Sequence, residues 1–163
     1  MKKFTLMAAI IILGFIIQTS FLNFFAVFNT IPNLSLTVLV VFAMMSNGII
    51  GAIIGLFTGM MYDAMIYNVF GIYTLIYFII GAVIGNYSED MLRENYVAYT
   101  TVTAISTFVM HFFLYIILFF LKYNVGNAGN IIHNIMIETV LNMVLVIVVF
   151  KFINLLFDRL NVK

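Results

Sequence analysis

The chain has 163 residues, of which 65% are hydrophobic and only 8% are charged, with a net charge of +1 and a mean hydropathy of +1.20. Soluble domains carry roughly 25% charged residues, so this composition excludes a soluble globular protein and predicts an integral membrane protein. The small net charge gives no reason to expect a nucleic-acid partner, and the lack of cysteine excludes thiol chemistry and cysteine-ligated metals. We expect a single transmembrane domain over residues 1–163.

Six apolar runs predict an all-α, polytopic bundle of six transmembrane helices. The second and third runs are shorter than the roughly 20 residues that span the hydrocarbon core. We expect these two to form a short hairpin, and the alternative is one long tilted helix. The runs are Phe4–Phe28, Leu34–Met45, Ile49–Met65, Phe70–Gly85, Val97–Leu121 and Ile135–Phe157.

The distribution of basic residues favours six spans over five. Cytoplasmic loops of membrane proteins carry the excess of Lys and Arg. With six spans and a cytoplasmic N-terminus, only Lys122 of the seven basic residues lies outside, whereas five spans place three inside and four outside. We therefore expect a multi-pass protein with both termini in the cytoplasm. The residues counted inside are Lys2, Lys3, Arg93, Lys151, Arg159 and Lys163.

The third run contains Gly51, Gly55, Gly59 and Asp63 at intervals of four. On a helix of 3.6 residues per turn these positions form one stripe, which we call the glycine stripe. A stripe without side chains lets a second helix approach to backbone contact in lipid, and an ionisable residue within a span is a functional candidate. The sequence leaves open which helix fills the stripe, whether two copies pair through it, and whether Asp63 simply reaches interfacial water.

A second group of polar residues lies in the last two spans. Glu138 has Asn134 and Asn142 at i−4 and i+4, so the three share a helix face, which we expect to form a packing network or line a cavity. His111, near the middle of the fifth span, is expected to be a hydrogen-bonded packing residue, and His133 to lie in the outer loop. No metal site, cofactor or catalytic motif is predicted, and we expect the protein not to be an enzyme.

Three sequence features resemble the rod-shape-determining protein MreD family. They are Ile31-Pro32-Asn33-Leu34, the glycine ladder ending in Met60-Met61-Tyr62-Asp63, and Gly71-Ile72-Tyr73. Many members carry an acidic residue where this chain has Asn33. The resemblance implies a non-enzymatic scaffold of the bacterial elongation machinery, located in the cell membrane.

The same resemblance implies partners. Members of this family associate with the bitopic protein MreC. Through MreC they associate with MreB, RodA and the class B penicillin-binding proteins that build lateral peptidoglycan. Our hypothesis on this basis is that the MreC helix binds Gly51, Gly55 and Gly59, with Asp63 fixing its register at the outer rim.

The six-span, glycine-rich plan is also similar to the substrate-binding subunits of energy-coupling-factor vitamin transporters. These capture a vitamin from the outer side, where Asp63, Glu138, Asn134 and His133 are expected to lie. Such subunits usually dock through small residues at i and i+4 of the first span. Here Ala8 is followed at i+4 by Ile12, which disfavours this alternative.

Overall fold

A computed structural model describes residues 2–20, 22–28, 30–66, 70–88, 95–123 and 128–160. Within these ranges the chain forms six α-helices and one short 3-10 helix at Leu22–Phe25, without strands, so the predicted all-helical fold is confirmed. The α-helices are α1 Lys2–Ser20, α2 Leu34–Met44, α3 Gly48–Ile66, α4 Ile72–Tyr87, α5 Tyr96–Phe120 and α6 Ala128–Arg159.

Two of these helices meet the length and composition of a membrane span. They are α5 and, within α6, the stretch Ile131–Arg159. Among the described residues, the apolar stretches of α1 to α4 are shorter, at 10–17 residues each. The first and last residues of α2, α3, α4 and α5 lie within two residues of the ends of the predicted runs.

The short helix α2 forms the centre of the bundle. All 11 of its residues are buried, and it contacts each of the other five α-helices. Its sequence is apolar around nearly its whole circumference, as expected for a helix enclosed by others. At 1.5 Å per residue α2 is about 16 Å long, roughly half the hydrocarbon thickness. The second run therefore forms a short helix enclosed by the other five, and residues 45–47 connect it to α3.

The first predicted span, Phe4–Phe28, is wrong at its C-terminal end, because α1 stops at Ser20. The chain then forms the 3-10 helix and a turn in which Val27 and Thr30 exchange two backbone hydrogen bonds of 2.9 Å. The side chain of Gln18, in the last turn of α1, is buried. It accepts the N–H of Leu34 at 2.6 Å and donates to the carbonyl of Pro32 at 3.2 Å, which fixes the end of α1 against the start of α2.

The sixth helix begins earlier than predicted. α6 starts at Ala128 instead of Ile135, so His133, which we expected in a loop, lies on the helix and is exposed. A helix can continue beyond its apolar run where its end reaches water, because polar residues are tolerated there. The apolar run Ile135–Phe157 is therefore shorter than α6. Residues 89–94, which include Arg93, lie outside the described residues, as does Lys163, so both basic residues enter only through the sequence count.

Candidate functional site

Helix α4 covers the glycine stripe of α3. Gly51, Gly55 and Gly59 are buried, and a Cβ atom added at Gly51 or Gly55 would overlap the backbone carbonyl oxygen of Gly81 or Tyr77. Only glycine permits two backbones to approach so closely. The hypothesis that a partner's helix binds this stripe is therefore corrected, because a helix of the same chain occupies it.

Asp63 connects the end of the stripe to the first turn of α4. Its Oδ1 accepts the backbone N–H of Tyr73 at 3.0 Å, and its Oδ2 accepts the N–H groups of Gly71 at 3.0 Å and Thr74 at 2.8 Å and the Thr74 hydroxyl at 2.7 Å. The first N–H groups of a helix lack intrahelical acceptors, and the positive end of the helix dipole favours a carboxylate there.

Asp63 is only 2% exposed. A carboxylate so enclosed does not reach interfacial water, and its two oxygens already accept four hydrogen bonds from α4 and the residue before it. Both expected roles for Asp63, at a partner's helix and at the interface, are therefore corrected. Its role in this structure is to fix α4 against α3.

A second set of hydrogen bonds surrounds the start of α2, and we call it the polar centre: Gln18, Asn33, Tyr77, Thr107 and Asn142. Asn33 caps α2, because its Oδ1 accepts the N–H of Leu36 at 2.9 Å. The hydroxyl of Tyr77 lies 2.9 Å from Nδ2 and 3.2 Å from Oδ1 of Asn33. The backbone N–H of Asn33 donates to Oδ1 of Asn142 at 2.7 Å, and Nδ2 of Asn142 donates to the Thr107 hydroxyl at 3.1 Å.

The polar centre links α1, α2, α4, α5 and α6 within the protein interior, since all five of its residues are buried. Buried polar groups destabilise a fold unless they are hydrogen-bonded, and these bonds satisfy them. Sequence reasoning identified Asn142 but did not give Asn33, Tyr77 or Gln18 a role. One signal was available, because Asn immediately before an apolar run is a typical helix N-cap.

The predicted polar face of α6 is divided between different neighbours. Asn142 joins the polar centre, while Oε2 of Glu138 lies 2.8 Å from Nε2 of His111 on α5. This contact is a hydrogen bond, and an ion pair when the imidazole is protonated. Asn134 is exposed. The side chains of His111 and Glu138 are 20% and 12% exposed, so neither is completely enclosed.

Two grooves flank α5 on the outside of the bundle. The α5/α6 groove encloses about 360 Å³ and is lined by His111 together with aromatic and aliphatic side chains. The α4/α5 groove encloses about 420 Å³, and Ser106 and Tyr87 are the polar residues among its lining. Within the described ranges, no three His, Asp or Glu side chains are grouped as metal ligands.

Residues 1–156 match the model of a protein family described as rod shape-determining protein MreD. The chain belongs to the MreD family. This confirms the resemblance, and MreD membership gives the protein a role in rod-shape determination at the bacterial membrane. Searches of the curated proteins and of the solved structures found no match. Nothing in these findings supports the vitamin-transporter alternative.

The residues on which the MreD resemblance was based come together at the α3/α4 hairpin. Asp63 bonds to Gly71 and Tyr73, and the rings of Tyr73 and Tyr62 lie 4.6 Å apart. Asn33 reaches the same hairpin through the hydroxyl of Tyr77. In this MreD protein, the contacts of these residues hold helices of the bundle together.

Proposed function

We propose that this protein is a non-enzymatic scaffold of the rod-shape machinery, which binds an MreC-type bitopic protein and thereby connects MreB, RodA and a class B penicillin-binding protein to lateral peptidoglycan synthesis. The observation that carries the proposal is the family match over residues 1–156. A scaffold of this kind needs a stable bundle and an apolar exterior that other membrane helices can contact.

The hydrogen bonding of the buried polar groups supports a scaffold rather than a reaction centre. The oxygens of Asp63 accept hydrogen bonds from the start of α4, and the side chain of Asn142 bonds to Asn33 and Thr107. The hydrogen bonds of Asp63 and Asn142 thus hold helices of this chain together. Because α4 fills the glycine stripe, the partner's helix binds elsewhere on the exterior of the bundle.

The proposed topology is one domain that crosses the cytoplasmic membrane six times with both termini inside. It rests on the count of basic residues, which places one of seven outside. Since the chain has no cysteine, single cysteines report topology without background. In intact cells, a membrane-impermeant maleimide should label Tyr123→Cys after α5 and leave Asn95→Cys before α5 unlabelled. The reverse pattern would contradict the topology.

The function is tested by depleting the protein in its rod-shaped host. We expect the cells to become round, and plasmid-borne wild-type protein to restore rods. The tagged protein should also co-purify the MreC-type protein from detergent-solubilised membranes. Depleted cells that keep their rod shape, together with no recovery of that protein, would refute the proposal.

A further inference from the structure

His111 and Glu138 form a polar pair far from the ends of their helices. His111 lies nine residues before the last residue of α5, Phe120, and Glu138 lies ten residues after the first residue of α6, Ala128. At 1.5 Å per residue the pair is therefore about 13–15 Å from this end of the α5/α6 hairpin. With α5 about 37 Å long against a hydrocarbon core of about 30 Å, the pair lies within the hydrocarbon region.

Each member of the pair has a polar atom without a partner among the described residues. The hydrogen bond of 2.8 Å joins Nε2 of His111 to Oε2 of Glu138. No hydrogen bond within the described part of the chain involves Nδ1 of His111 or Oε1 of Glu138. A polar atom in a membrane is unfavourable unless a hydrogen-bonding group reaches it, and such pairs mark functional positions.

The pair reaches the α5/α6 groove through His111. His111 lines this groove of about 360 Å³, and most of the other lining residues are large side chains that are exposed on the bundle surface. Such walls suit an apolar occupant that brings one polar group to the depth of the pair. Among them are Phe108, Phe112, Tyr115, Ile132 and Met136.

The depth of the pair restricts what can fill the groove. Lipid headgroups lie outside the hydrocarbon region, and acyl chains offer no hydrogen-bonding atoms. A transmembrane helix satisfies its own backbone and can present a polar side chain at any depth. Near the middle of α5, the α4/α5 groove offers the neutral hydroxyl of Ser106, a weaker hydrogen-bonding group than the imidazole and carboxylate of the pair.

We propose that the α5/α6 groove binds a single transmembrane helix of a partner protein, and that a Ser, Thr, Asn or Gln side chain of that helix hydrogen-bonds to the His111–Glu138 pair. The inference rests on the proposed scaffold function and assigns it a surface. The α5/α6 groove takes the place of the glycine stripe as the expected docking surface, because α4 already occupies that stripe.

The test uses the full chain co-expressed with the epitope-tagged MreC-type bitopic protein. A photoreactive phenylalanine analogue is placed at Phe112 or Met136 in the α5/α6 groove, which are 61% and 60% exposed. Matched controls place it at Val83 in the α4/α5 groove, 50% exposed, and at Ile53 on α3, 62% exposed. We expect crosslinks to the bitopic protein from Phe112 and Met136, and none from Val83 or Ile53.

A second measurement isolates the polar pair. The double variant His111→Leu/Glu138→Leu should lower recovery of the bitopic protein by about threefold to thirtyfold, the equivalent of one or two interhelical hydrogen bonds. Glu138→Gln, which keeps hydrogen-bonding atoms, should retain most of it. Replacing a mostly enclosed polar pair by apolar residues is commonly tolerated. The elution volume in detergent verifies the fold of each variant.

The outcomes separate this inference from the proposed function. Crosslinks from Val83 or Ile53 alone, with the bitopic protein still co-purifying, would overturn the α5/α6 groove and leave the scaffold role standing. Crosslinks from Phe112 to a second copy of this chain would also overturn the inference. Unchanged recovery in the double Leu variant would reject the role of the pair. No recovery of the bitopic protein from wild type would overturn both proposals.

Discussion

The carboxylate of Asp63 accepts the backbone N–H of Tyr73 at 3.0 Å, across the turn that joins α3 to α4. The same carboxylate accepts the N–H of Thr74, so one side chain of α3 satisfies two N–H groups in the first turn of α4. The rings of Tyr62 and Tyr73 lie beside these bonds, with centroids 4.6 Å apart. The hairpin is thus fixed by hydrogen bonds and aromatic packing at its turn, and by glycine contacts along its length.

Asp63→Asn should lower the stability of the bundle. An amide offers one acceptor oxygen where the carboxylate has two, so at least one N–H of α4 faces an NH2 group and is left unsatisfied. A buried donor without a partner costs about 1–3 kcal/mol. Thermal unfolding in detergent should show a lower midpoint for this variant than for wild type. Asp158→Asn, at an exposed position of α6, is the control and should unfold like wild type.

Gly71→Ala should be destabilising although space is available for the side chain. Gly71 has a φ of 107°, and a Cβ atom there would have nothing within 4 Å. The cost therefore comes from the backbone conformation alone, about 1 kcal/mol or more. Gly71→Asn should recover part of the loss, because Asn tolerates positive φ better than Ala does. Equal unfolding midpoints for Gly71→Ala and wild type would show that the turn is not strained by a side chain.

Gly55→Ala should separate α3 from α4. Its Cβ would overlap the carbonyl oxygen of Tyr77, which belongs to a helix backbone and cannot move alone. Overpacking of this kind costs about 1–3 kcal/mol. Gly14→Ala on α1 is the matched control, since its Cβ would lie 3.6 Å from Val38 in ordinary contact. Because Ala favours helices over Gly, we expect the control to be neutral or stabilising. The reverse order of midpoints would contradict the packing.

Tyr77→Phe should weaken the polar centre without leaving a cavity. The variant loses the hydroxyl that bonds to the side chain of Asn33, which costs about 1 kcal/mol. Tyr115→Phe, at a 46% exposed position, should have little effect. A double-mutant cycle of Tyr77→Phe with Asn33→Ala should be less than additive, because both changes remove the same interaction. Strict additivity would show that the two residues do not interact.

Several features of the fold were predictable because they depend on local sequence. Apolar runs and the polar or turn residues between them predicted the ends of α2, α3, α4 and α5 to within two residues. The end of α1 was not predictable in this way, because the bonds that hold it join Gln18 to Pro32 and Leu34, which are adjacent only in the folded chain.

The candidate functional site likewise has features that the local sequence predicts and features that only the folded chain shows. By itself, the sequence determined that this is a helical membrane protein of the MreD type, and that α3 carries a stripe suited to close helix contact. Only the tertiary structure decided that α4 fills the stripe, that Asp63 bonds to Tyr73, and that Glu138 meets His111. The reason is that periodicity describes the surface of one helix at a time. Which helix meets that surface depends on how short connections and burial arrange all the helices around α2.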